Sequence, residues 1–180
     1  MPETASSLLA SWSNFYLTTG SAAATLTGLM FVVITLVRRA DRTRTQAQSQ
    51  TGISTFSTPI VLHFAAALFV SLFLSAPLHS FVAAAVVLGV GGLYGIGYVV
   101  YIAYRTRSLT IYTADPEDWT WYIILPLLAY VILAVGAVFL LIAPARALFA
   151  LAGGVVLLVL VGVRNAWDIV TYIASGAADT

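Results

Sequence analysis

The sequence predicts an all-α integral membrane protein in which five transmembrane helices form a single bundle. Charged residues make up only 8% of the 180 residues and hydrophobic residues 61%, whereas soluble domains carry about 25% charged residues. Mean hydropathy is +0.98. Five apolar stretches reach the length of about 17–25 residues that a membrane-spanning helix needs, and nearly all arginines fall on one side of the topology that five spans produce.

The five predicted helices are bounded by residues typical of helix ends. They cover approximately residues 15–37, 59–76, 81–104, 119–143 and 147–174, the last including a cytoplasmic extension. Thr58 followed by Pro59 is typical of a cap and a first-turn proline, and predicts the start of the second helix. Pro77 predicts its end, and Pro126 predicts a kink in the fourth helix. Residues 38–58 form the longest polar connection, which we expect to be a cytoplasmic loop.

Arginine placement decides the topology. With five spans, one side of the membrane receives Arg38, Arg39, Arg42, Arg44, Arg105, Arg107 and Arg164. Arg146 alone falls on the other side. A re-entrant second segment would instead put the two arginine clusters on opposite faces, against the positive-inside rule. The sequence therefore predicts an amino terminus outside and a carboxyl terminus in the cytoplasm. Trp12, Phe15 and Tyr16 fit the outer interfacial belt. Compactness and heavy use of Ala, Val, Leu and Arg favour the cytoplasmic membrane of a bacterium.

Several kinds of chemistry are excluded by composition. The chain has no lysine and no cysteine, which removes Schiff-base chemistry on lysine, a P-loop lysine, disulfides and thiolate metal sites. A net charge of +1 gives no field to attract nucleic acid. His63 and His79 are expected near opposite membrane faces, so they cannot share one metal or haem. The sequence predicts no metal, no cofactor and no enzymatic activity, since no nucleophile is paired with a base.

The first helix carries a polar stripe along its whole length. At about 100° per residue, a single arc contains Asn14, Thr18, Ser21, Thr25, Gly28, Val32, Thr35 and Arg39. Gly20, Ala24 and Thr27 form a small-residue edge beside it. One interpretation is a dry seam for helix packing, because small residues let backbones approach and hydroxyls bond within helices. The other is a water-facing wall that lines a pore between subunits or a cavity in the bundle. Exposure to lipid is the least expected fate.

The third helix combines tyrosines with glycines. Tyr94, Tyr98 and Tyr101 share one face with Arg105, and the adjoining arc holds Gly91, Gly92 and Gly95. The glycines predict close packing against another helix. The tyrosines are either hydrogen-bonded core residues or, together with His63, an intramembrane polar site.

Charged and polar residues near the cytoplasmic side are candidates for a mouth or gate. This group contains Arg39, Asp115, Glu117, Asp118, Arg164, Asn165 and Asp168. The acidic run around Pro116 is also explained by a helix cap and by carboxylates at a helix amino terminus. Arg164 and Asp168 are spaced for an i, i+4 pair.

These features lead to two functional hypotheses. The first is a homo-oligomeric, channel-like or transport-related protein for a small ion or small polar solute, with the stripe of helix one as its lining. The second is a non-conducting structural or accessory membrane protein, in which the same stripe is a packing seam. The lipid bilayer and further copies of the chain are the expected partners, and nucleic acid is not.

Overall fold

The structure is a computed structural model, and it describes residues 5–41, 49–77, 80–107 and 116–178. Within these helices, the side chains of residues 36–41, 49–57, 118 and 172–178 lie outside the description. The described residues form helices and contain no strand. In chain order the elements are α1 (Ala5–Asp41), α2 (Ser49–Ser75), α3 (Phe81–Arg107), α4 (Pro116–Trp119), a π-helical turn (Thr120–Ile124), α5 (Leu125–Phe139) and α6 (Pro144–Ala178).

Five helical stretches in the described part of the chain are long and apolar enough to cross a membrane. They are Ala5–Thr35, Thr58–Ser75, Phe81–Arg107, Thr120–Phe139 and Pro144–Thr171. The fourth combines the π-helical turn with α5. The all-helical fold class and the five spans predicted from hydropathy are therefore confirmed, and the chain has the character of an integral membrane protein.

The first two helices are longer than predicted. Helix α1 begins at Ala5, ten residues before the predicted start, and α2 begins at Ser49. The predicted start of the second helix at Thr58 is wrong, because α2 runs through Pro59. A proline removes its own N–H from the helical ladder, and α2 continues on both sides of Pro59. Much of the expected loop over residues 38–58 is consequently helical, and residues 42–48 lie outside the described part.

Helix α6 is the centre of the bundle. It packs against α1, α2 and α5, while α1 also packs along α2. Helix α3 lies at the periphery, where it packs on α5 and touches α2 only marginally. A Cβ added at Gly92 of α3 would lie 2.8 Å from the backbone nitrogen of Ala134 in α5. This approach of two backbones confirms the close packing predicted at Gly92, whereas Gly91 is exposed and a Cβ there would meet nothing within 4 Å.

The beginnings of α1 and α6 meet at one end of the bundle. The hydroxyl of Tyr16 donates a hydrogen bond to the carbonyl of Leu148 at 3.2 Å. The rings of Trp12 and Phe149 meet edge to face, with centroids 4.6 Å apart. Tyr16 is fully buried, so its side chain faces the interior of the bundle. Its hydroxyl reaches a backbone carbonyl inside the protein, which removes the need for water at the membrane surface.

The opposite end of the bundle gathers basic side chains. The guanidinium of Arg107 lies 5.0 Å from the centroid of the Trp119 ring, which joins the end of α3 to α4. Arg164 of α6 binds Glu117 of α4 at 2.9 Å. Arg146 lies at the far end, in the first turn of α6. Among the arginines whose side chains the structure describes, Arg105, Arg107 and Arg164 lie on one side of the bundle's middle and Arg146 on the other.

Candidate functional site

A histidine and a tyrosine form a buried pair at the centre of the bundle. Nδ1 of His63, on α2, lies 3.1 Å from the hydroxyl of Tyr130, on α5. The two side chains are only 1% and 2% exposed. Buried polar groups are costly without partners, so this bond satisfies the tyrosine hydroxyl within an otherwise apolar helix.

The position of Tyr130 depends on a glycine of the neighbouring helix. Gly95 of α3 lies against the Tyr130 ring so closely that a Cβ at this position would overlap the ring. Gly95 therefore provides the space in which the ring lies, and the hydroxyl at its tip can then reach His63. The predicted glycine arc thus positions a residue that the sequence analysis had not selected.

A second buried polar contact joins α6 to the π-helical turn. Asn165 is fully buried, and its Nδ2 donates to the carbonyl of Trp121 at 3.3 Å. In this turn the N–H of Leu125 is bonded to the carbonyl of Thr120. The next residue is Pro126, which has no N–H to offer the Trp121 carbonyl. Asn165 supplies that donor. The π-helical turn directly precedes the first turn of α5, which contains Pro126.

Two polar atoms of these residues have no hydrogen-bond partner in the described structure. They are Nε2 of His63 and Oδ1 of Asn165. Each residue thus uses one polar atom to bind a neighbouring helix and leaves the other open. An open polar atom in a buried position requires an explanation, because such atoms are nearly always bonded in proteins.

The predicted cytoplasmic mouth contains one group of charged contacts. Arg164 binds Glu117 and also Asp168, the i, i+4 pair expected from the spacing, and its guanidinium lies 5.7 Å from the Trp121 ring centroid. Asn165 does not belong to this group, since it points into the bundle. Asp115 lies outside the described residues, as do the side chains of Arg39 and Asp118.

The polar stripe of α1 lies on the outer surface of the single chain. All six candidate lining residues are exposed: Asn14, Thr18, Ser21, Thr25, Gly28 and Thr35. At about 100° per residue the stripe lies almost opposite the buried Tyr16, Ala23 and Met30. Its four hydroxyls donate to carbonyls of their own helix at 2.7–2.9 Å. These six residues therefore take no part in the packing of the described helices on one another.

The tyrosines of α3 are largely outside the bundle. Tyr94 and Tyr101 are exposed and Tyr98 is partly buried. His63 binds Tyr130 and not these residues. The one sequence signal for Tyr130 was its position as the single hydroxyl-bearing residue between Leu125 and Phe139.

Among the described residues, no three His, Cys, Asp or Glu side chains converge in a way that could hold a metal ion. The arrangement instead offers hydrogen bonds within the bundle, ion pairs at one end and a polar outer face. No protein-family model, no curated protein and no solved structure matches the chain.

Proposed function

We propose that the chain is the protomer of a homo-oligomeric, channel-like or transport-related membrane protein for a small ion or small polar solute. The stripe of α1 faces the axis of this oligomer and lines the path. The observation that carries the proposal is the exposure of the stripe on the face of α1 opposite to its packing side. A polar surface that the fold itself does not use is available to a neighbouring copy.

The direction of the hydrogen bonds along the stripe favours cations over anions. The hydroxyls of Thr18, Ser21 and Thr25 donate their protons to backbone carbonyls of α1. A hydroxyl that donates inward presents its oxygen lone pairs outward. A lining of such oxygens accepts hydrogen bonds from water and coordinates small cations, as rings of oxygen ligands do in channels.

A non-conducting structural or accessory protein is the second candidate. The same inward bonds support it, because a hydroxyl that is already bonded within its helix can be covered by another helix without losing a partner. The exposed Ala24 and Gly28 would then let the backbone of a second α1 approach. In this arrangement the stripe is a dry seam between copies.

Substitutions in the stripe distinguish these functions. In a wet lining, Ser21→Leu and Thr25→Leu narrow and dewet the path, so potassium flux into proteoliposomes falls while the oligomer persists. In a dry seam both changes overpack the contact and weaken assembly. Ala22→Leu, at an exposed position of α1 beside the stripe, is the matched control. Unaltered potassium flux in intact Leu variants would refute the lining.

Oligomerisation is tested separately, by the mass of the protein in nanodiscs and in several mild detergents. We expect a multiple of the 19.1 kDa protomer. Detection of the protomer alone under all these conditions would contradict both the pore and the seam between copies.

We further propose that the amino terminus lies outside and the carboxyl terminus in the cytoplasm of a bacterial cell, with the chain in its cytoplasmic membrane. The arginines at one end of the bundle support this orientation through the positive-inside rule. Because the chain lacks cysteine, Ser6→Cys and Thr180→Cys each introduce a single thiol. An impermeant reagent applied to intact cells should label the first variant and spare the second. The reverse pattern would overturn the orientation.

A further inference from the structure

The two residues with open polar atoms belong to neighbouring parts of the contact between α2 and α6. The Phe64 ring of α2 contacts the backbone of α6 at Gly162, where a Cβ would lie 2.5 Å from the ring. Ala166 packs against the cluster of Met30, Ile60 and Phe64. His63 precedes Phe64, and Asn165 lies between Gly162 and Ala166, so both residues belong to the same stretch of the α2–α6 contact.

Both side chains also point toward the fourth membrane span. His63 reaches Tyr130 of α5, and Asn165 reaches the Trp121 carbonyl in the π-helical turn that precedes α5. Two fully buried side chains from adjacent helices therefore face a common third element. Their open atoms, Nε2 and Oδ1, are the remaining polar groups of these two residues.

The chemistry of the two atoms defines what can bind between them. Oδ1 of Asn165 is always an acceptor, and Nε2 of His63 donates in one neutral tautomer and accepts in the other. A molecule that both donates and accepts can serve either tautomer. A metal cation would find only one nitrogen and one neutral oxygen as ligands, fewer than protein metal sites use. An anion would be repelled by the lone pairs of Oδ1. Both residues are almost completely buried, and water is the smallest molecule that both donates and accepts hydrogen bonds.

We propose that a single buried water molecule binds between His63 and Asn165. It donates a hydrogen bond to Oδ1 of Asn165 and either accepts from or donates to Nε2 of His63. A buried water with two to four polar partners is an ordinary structural element of proteins. The result is one hydrogen-bonded chain, which runs from Tyr130 through His63, the water and Asn165 to the carbonyl of Trp121.

This chain connects the central helices across the π-helical turn. It joins α2 to α6 through the water, and both helices to the fourth span through Tyr130 and Trp121. The site is separate from the outer face of α1, so it stands whether that face is a pore lining or a seam.

The sequence makes the site accessible to a specific measurement. The chain has two histidines and two asparagines, so His79→Gln leaves His63 as the only imidazole. The full-length His79→Gln protein is prepared with isotope-labelled histidine and placed in nanodiscs. Transfer of magnetisation from water to the labelled ring is then recorded by solid-state NMR. We expect transfer from water to the labelled His63 ring despite its burial.

Asn165→Leu in the same background removes one side of the site and should abolish the transfer, whereas Asn14→Leu, at the exposed asparagine, should leave it unchanged. Absence of transfer in the parent protein would overturn the proposal. Its persistence in a folded Asn165→Leu protein, or a direct hydrogen bond from Nε2 to the Asn165 side chain, would also overturn it. If Asn165→Leu fails to fold, the measurement on the parent protein decides by itself.

Discussion

Replacing Gly95 with alanine tests the position of the buried tyrosine. The added Cβ would overlap the Tyr130 ring, which the surrounding bundle leaves only 2% exposed. The ring must shift, and the shift separates the hydroxyl from Nδ1 of His63, now 3.1 Å away. The substitution therefore combines overpacking with the loss of a buried hydrogen bond.

The expected magnitude follows from these two effects and one opposing effect. Overpacking of a well-packed interior costs about 1–3 kcal/mol, and a buried group left without its partner costs about 1–3 kcal/mol. Alanine is favoured over glycine in a helix by about 0.8–1.0 kcal/mol. The net loss in the free energy of unfolding is about 1–5 kcal/mol.

Gly97→Ala is the matched control, because a Cβ at Gly97 of the same helix meets nothing within 4 Å. It should leave stability unchanged or raise it by up to about 1 kcal/mol. The assay is the free energy of unfolding in mixed micelles, followed by circular dichroism during titration with dodecyl sulfate. In a Tyr130→Phe background the hydrogen bond is already absent, so Gly95→Ala should cost about 1–3 kcal/mol less there. Equal stability of the Gly95→Ala and Gly97→Ala proteins would refute the reasoning.

Two further predictions concern the α3–α5 contact and the ion pair at the arginine-rich end. The Gly92→Ala protein should be less stable than the Gly91→Ala protein by about 1–3 kcal/mol, because a Cβ at Gly92 meets backbone atoms and one at Gly91 meets nothing within 4 Å. Equal free energies of unfolding in mixed micelles would contradict this prediction. Glu117→Gln should lower the free energy of unfolding by about 0–1 kcal/mol, since the pair with Arg164 is partly exposed. This loss should shrink in 1 M salt, which screens the ion pair. A loss that does not depend on salt would count against this account.

The sequence predicted the elements that depend on hydrophobicity and local sterics. Five spans followed from hydropathy, the end of α2 before Pro77 followed from proline geometry, and the contact at Gly92 followed from the missing side chain. These properties belong to single residues or short windows. The start of α2 was missed because hydropathy marks the apolar part of a helix, and the polar turns from Ser49 to Thr58 carry no such signal.

The candidate site was only partly predictable. His63 was selected as an ionisable residue within a span, but its partner Tyr130 is 67 positions away, and no local pattern encodes that distance. The same applies to Asn165, whose partner is a carbonyl that became available because Pro126 lacks an N–H. The stripe of α1 was visible from periodicity, yet only packing shows that it faces out of the chain.

The attachment of α3 has a consequence for the order in which the protein is made. Its main partner, α5, ends at Phe139, 32 positions after Arg107, the last residue of α3. At about 5–20 residues per second on the ribosome, this stretch takes on the order of seconds to emerge. During that interval we expect α3 to lack its main partner, whereas α1 and α2, which pack on each other, can pair earlier. We therefore expect assembly to begin with the amino-terminal helices, and α3 to join the bundle after α5 has been synthesised.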